Sequence, residues 1–137
     1  WALLALTLWS LPAVTDPAAN GPFPATRQTV TFPGTQGATL TADVYYPGTN
    51  GVLSTEAGQC PVIVLGHGFS QSKDQHVNQG RHLATRGYLV LIPNSNAASD
   101  HSRFADDLRR CIDWMQARNA DSNSIFCRPG SSGNTWA

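Results

Sequence analysis

"PVIVLGHGFSQSKDQHVNQGRHLATRGYLVLIP", residues 61–93, carries the reading of the fold. "PVIVLG" is an unbroken apolar run, the pattern of a strand buried on both faces. It ends in Gly66-His67-Gly68-Phe69. "SKDQHVNQGRHLATRG" follows. Ser72 and Gln75 have capping-box spacing, Val77, Leu83 and Ala84 share a helical face, and Gly87 is a helix stop. "YLVLIP", Tyr88 to Pro93, is a second run of the fully buried type. The stretch therefore predicts strand, loop, helix, strand, the unit that makes parallel neighbours.

The flanks extend the pattern. Upstream, "RQTVTF" (27–32) and "TLTADVYYP" (39–47) are β-branched and aromatic, and "PGTQGA" between them has hairpin turn chemistry. "VLSTEAGQ" reads as an exposed loop. Downstream, Phe104, Leu108, Cys111, Ile112 and Met115 form an amphipathic stripe, predicting a helix from about Asp100 to Arg118 that packs on the sheet. "NSIFC" then reads as a third buried strand. The order is a hairpin followed by parallel βαβαβ, an α/β chain with helices on the sheet faces. No repeat, charge block or second domain is visible.

The 137 residues suffice for one modest domain. Nine basic residues balance nine acidic ones, which gives no electrostatic reason to expect nucleic acid. Cys60, Cys111 and Cys127 contain no C-x-x-C pair, so a zinc ribbon is not indicated. At most one intrachain disulfide can form, and spacing does not choose it. "WALLALTLWSLPAV" has the length of a signal-peptide core and is too short to span a bilayer. With Pro12 near its end and Pro17, Pro22 and Pro24 close behind, residues 1–25 read as a clipped export signal and N-terminal arm. The alternative is a buried N-terminal helix. Export implies a secreted or periplasmic location.

Three chemistries use glycines at a strand exit. A dinucleotide site needs G-x-G-x-x-G, but "GHGFSQ" lacks the third glycine, and the following strand ends in Pro93-Asn94 rather than an acidic residue. No G-x-x-x-x-G-K occurs. Metal ligation is poorly served: no two of His67, His76, His82 and His101 are three or four apart, and His76 and His82 read as solvated helix residues. An oxyanion hole fits better. It needs backbone N–H donors near a reacting carbonyl, and glycine lets the backbone come close. Phe69 would then donate its N–H, with Gly66, His67 and Gly68 as the supporting loop. A glycine-rich βα turn without chemistry is equally compatible with this segment alone.

The run from Pro61 to Asn96, followed by "DHSRFADDLRRCIDWM", resembles the N-terminal half of an α/β-hydrolase. The resemblance is to the dienelactone-hydrolase-like branch with chlorophyllases and cutinase-like polyester hydrolases. It covers roughly residues 26–127. In that branch a His-Gly-aromatic segment forms half of the oxyanion hole, "LATRGYLVLIP" matches the helix and strand that follow, and "TADVYYP" matches the second strand. The resemblance implies a partial α/β-hydrolase domain over residues 26–137. It also implies hydrolysis of a small-molecule or polymeric ester through an acyl-enzyme, without metal or organic cofactor. The family's nucleophile elbow is G-x-S-x-G. Six residues beyond Ile125, Ser131 falls on the nucleophile, Ser132 on the second N–H donor and Gly133 on the motif's last glycine. Pro129 stands at the first glycine, Gly130 precedes the serine, and Arg128 sits where a small apolar residue belongs. The alternative for this stretch is a Ser/Gly-rich tail. The family's acid and histidine come after the serine, and no histidine follows Ser131. The chain is thus expected to be a fragment, inactive as it stands. A non-catalytic binding domain of the same fold is the runner-up.

Overall fold

The computed structural model describes residues 18–95 and 99–126. They form a mixed five-stranded sheet with two α-helices, an α/β arrangement. Strand β1 (Ala25–Pro33) and strand β2 (Thr39–Thr49) make the antiparallel hairpin, joined through a single 3-10 turn at Thr35–Gly37. Strand β3 (Val52–Leu53) is a two-residue strand returning against the end of β2, inside the stretch expected to be loop. Its Leu53 is buried, which supplies the reason for the pairing.

Strand β4 (Val62–Val64) leads through a short 3-10 segment and helix α1 (Val77–Thr85) to strand β5 (Leu89–Pro93). β4 and β5 pair in parallel, and β5 also pairs antiparallel with β2. The order is β1-β2-β5-β4, so β5 lies inside the sheet and β4 at its end among the described residues. This explains their unequal burial. Every residue of β5 is buried, as expected. Val62, Ile63 and Val64 are only half-buried, which corrects the expectation for "PVIVLG".

Alternation along β2 divides the core. Leu40, Ala42, Val44 and Tyr46 join Leu89, Leu91, Cys111, Met115 and Phe126 on one face. Tyr45 joins Val90, Ile92 and Ala84 on the other, packed by Val77 and Leu83 as their shared helical face requires. Helix α1 thus covers one face and helix α2 (His101–Ala120) the opposite one. The stop of α1 is as read: Gly87 has φ +94°, and its N–H donates to the Ala84 carbonyl. At Ser72 the hydroxyl accepts from the Asp74 N–H, while the N–H of Gln75 donates to the Ser72 carbonyl. The capping-box residues are in place at this boundary, but the bonds differ from the reciprocal pair.

Two further expectations are corrected. Ile112 is 44% exposed, whereas Cys111 and Met115 are buried. The buried line of α2 runs through Asp107, Cys111 and Met115, each four residues apart, and Ile112 lies one residue off it. Residues 122–126 form turns rather than a strand. There the Asn123 N–H donates to the Asp121 carboxylate, the Ser124 N–H to the Asp121 carbonyl and the Phe126 N–H to the Ser124 hydroxyl. Such local bonds compete with a strand ladder. Phe126 is buried edge-on to Tyr46 instead. Within the described residues the fold is hairpin plus βαβ, without the third parallel strand. Cys127, the Pro129–Gly133 segment and residues 1–17 lie outside the described residues.

Candidate functional site

The loop leaving β4 sits at the carboxyl end of the parallel pair, where ligands of open α/β sheets bind. Its first glycine is closely packed. A Cβ on Gly66 would come within 3.1 Å of the Phe104 ring and 3.4 Å of Leu108 Cδ1. The stripe of α2 therefore presses directly on the start of this loop. His67 is 5% exposed and lies edge-on to Phe104, with ring centroids 5.3 Å apart. Its Nδ1 is 2.9 Å from the Gly68 carbonyl oxygen, which only accepts, so Nδ1 carries the proton. Nε2 is buried without a hydrogen-bond partner. His67 thus braces the loop and leaves no exposed nitrogen.

Residues 68–71 close a turn. The Gln71 N–H donates to the Gly68 carbonyl at 3.1 Å, and the Gly68 N–H donates to the Gln71 side chain at 3.2 Å. Ser70 has φ +56°. A positive φ at the third position of a closed four-residue turn is the mark of type II geometry, and it is unusual for serine. At the corner Phe69 is 73% exposed. Its N–H makes no hydrogen bond within the described residues, whereas that of Gly68 is committed. Of the loop residues read from sequence, the structure brings Gly66, His67, Gly68 and Phe69 together. Ser131 and Ser132 lie outside the described residues.

Behind the loop stands an ionic cluster, buried at its aspartate, that the sequence reading missed. Asp43 of β2 is fully buried. Its carboxylate takes Lys73 Nζ at 2.9 Å, Arg27 Nε at 3.1 Å and the Thr29 hydroxyl at 2.7 Å. Arg27 and Thr29 face Tyr45 and Asp43 across the β1-β2 register. Lys73 immediately follows Ser72, so the pair ties the loop's exit to the sheet. Burial lowers the Lys73 pKa, but the hydrogen bond and charge of Asp43 outweigh it and raise the value above the ordinary lysine range. The Tyr45 hydroxyl is buried here without a partner, and burial raises its pKa. An aspartate inside the otherwise strand-like "TADVYYP", on the same face as Tyr45, was the available signal.

A second buried carboxylate joins the loop after β5 to the hairpin. Asp107 accepts from the Ser95 hydroxyl at 2.6 Å and from the Thr35 N–H and hydroxyl, each at 3.0 Å. Burial pushes its pKa up, but these bonds and the Arg103 charge hold it below the ordinary carboxylate value. Beside it Cys111 is a free thiol, pushed up to about 12 by burial and by Asp107, and therefore protonated and unreactive at neutral pH.

A cavity of about 580 Å³ lies away from this loop. It runs between β1 and the end of α2, with Arg27, Tyr46, Trp114, Arg118 and Phe126 on its walls. Among the described residues there is no cluster of three or more His, Cys, Asp or Glu that could hold a metal, and no helix long and apolar enough to cross a membrane. Compared with known proteins, the chain matches no family model, and no curated protein is significantly similar to it in sequence.

Proposed function

We propose that the loop after β4 is one side of the oxyanion hole of a secreted, serine-dependent ester hydrolase of the α/β-hydrolase type. The observation that carries the reading is the Phe69 N–H, unbonded among the described residues at an exposed turn at the carboxyl end of the parallel strands. An N–H in that place is available to a tetrahedral oxygen, and in hydrolases of this type the loop between a parallel strand and its helix supplies one donor. The hairpin feeding β4-α1-β5, with a helix on each face, supports the same reading. Exposed Phe69 adds an apolar surface suited to the acyl or alcohol part of an ester. In this mechanism Ser131 attacks the carbonyl, its proton passes to a general base, the alcohol leaves, and water releases the acid. Phe69 and Ser132 donate their N–H groups to the oxyanion.

The natural full-length protein tests this. It is incubated with p-nitrophenyl butyrate and, separately, with a fluorophosphonate, and the labelled residue is identified by peptide mass spectrometry. Ester turnover with the phosphonyl group on Ser131, both lost in Ser131→Ala, is the expected result. Turnover that survives Ser131→Ala, or no turnover and no label, overturns the proposal.

A further inference from the structure

We propose that Gln71 is a positioning residue that, with His67, fixes the direction of the Phe69 N–H; the inference rests on the ester-hydrolase reading above. The peptide unit between Gly68 and Phe69 is anchored at one end. Its carbonyl oxygen is held by two donors, the Gln71 N–H at 3.1 Å and His67 Nδ1 at 2.9 Å. The described chain contains no cis peptide. In a trans unit the N–H points opposite to the C=O. Gripping the Gly68 carbonyl on one side therefore aims the Phe69 N–H at the other.

That grip would fail if Gly68 turned, and glycine turns easily. Gln71 prevents it from the second side. Its side-chain oxygen takes the Gly68 N–H at 3.2 Å, so main chain and side chain of one residue hold both polar groups of Gly68. The same bond removes the Gly68 N–H from competition with that of Phe69. A carbonyl accepting two hydrogen bonds also polarises its own amide, which strengthens the N–H as a donor. The positive φ of Ser70 is the backbone strain that this closed turn carries. A Cβ on Gly68 would stand 2.9 Å from the Gln71 side-chain oxygen, so the two positions are sterically coupled.

Gln71 is exposed and contributes nothing to the core. Its substitution is therefore compatible with a folded protein. In the full-length protein, Gln71→Met keeps length and removes the acceptor, and Gly68→Ala displaces the same acceptor from the other side. Both are expected to lower kcat about tenfold, less than outright loss of an oxyanion donor. KM and the thermal midpoint stay near wild type, because the effect falls on the transition state. The rate of fluorophosphonate labelling falls in parallel, and in Gln71→Met the Gly68 amide exchanges with solvent faster. A wild-type enzyme whose Gln71→Met variant keeps kcat within about twofold overturns the positioning role and leaves the ester-hydrolase reading standing. A kcat that falls only together with the thermal midpoint also overturns it, assigning Gln71 to folding. A wild-type protein with no ester turnover overturns both.

Discussion

At the scale of single residues, a carboxylate survives burial only where donors replace the water it has lost. Asp107 meets that condition with Ser95 and with both polar groups of Thr35. The consequence is a pH dependence of definite sign. Its folded pKa is depressed, so the stabilisation is fully present above the unfolded carboxyl value of about 3.9 and is lost as pH falls through the folded value. Urea unfolding followed from about pH 6 to pH 2.5 should show wild-type stability falling more steeply below about pH 4 than that of Asp107→Asn. Parallel slopes would mean that the carboxylate is not held as described. Nothing in the sequence marks Asp107 for burial. It stands in "FADDLRR", where either aspartate reads as part of a solvated face, and only the docking of α2 against the hairpin separates it from Asp106.

At the scale of elements, the buried line of α2 decides which apolar residues matter. Met115 is 1% exposed and Ile112 44%. Met115→Ala should cost about 2–5 kcal/mol by leaving a cavity. Ile112→Asp should change stability by roughly 0.5 kcal/mol or less, as surface substitutions do. Chemical denaturation of the two variants checks the pair, and the reverse order would place the helix in a different rotation. The periodicity from Phe104 to Met115 identified the helix and its apolar side. It did not give the rotation, because a buried aspartate shifts the line of contact toward Asp107 and a hydropathy pattern counts aspartate as outside. β4 and β5 show a similar limit. Their apolar strings look alike, yet burial differs because β5 has a neighbour on either side, a fact of topology rather than composition. "NSIFC" was misread for a third reason: its strand-like side chains are outweighed by the turn-forming bonds of Asp121 and Ser124.

At the scale of the molecule, the hairpin, the crossover and the two covered faces were legible because each rests on local periodicity and turn chemistry. That Gly66 to Phe69 leave a strand as a loop was legible as well, since the apolar run stops at two glycines. The ionic clusters were not, because Asp43 meets Arg27 and Lys73 only through pairing and packing of distant segments. Among the described residues the sheet ends at β4, which makes a further prediction. The Leu65 N–H donates to the Leu91 carbonyl, and parallel alternation then turns the Val62 and Val64 amides away from β5. Hydrogen exchange should be faster at Val62 and Val64 than at Leu65 and Leu91. Equal protection would reveal another strand lying against β4. Asp107, finally, bears on the lifetime of the fold as well as its stability. Its bond to Thr35 spans 72 positions, so hairpin and second helix must both dock before the charge is satisfied. Contacts assembled after the folding barrier leave the forward rate alone and govern escape from the native state. Asp107→Asn should therefore shorten the residence time of the folded molecule while refolding after a denaturant jump keeps its wild-type pace.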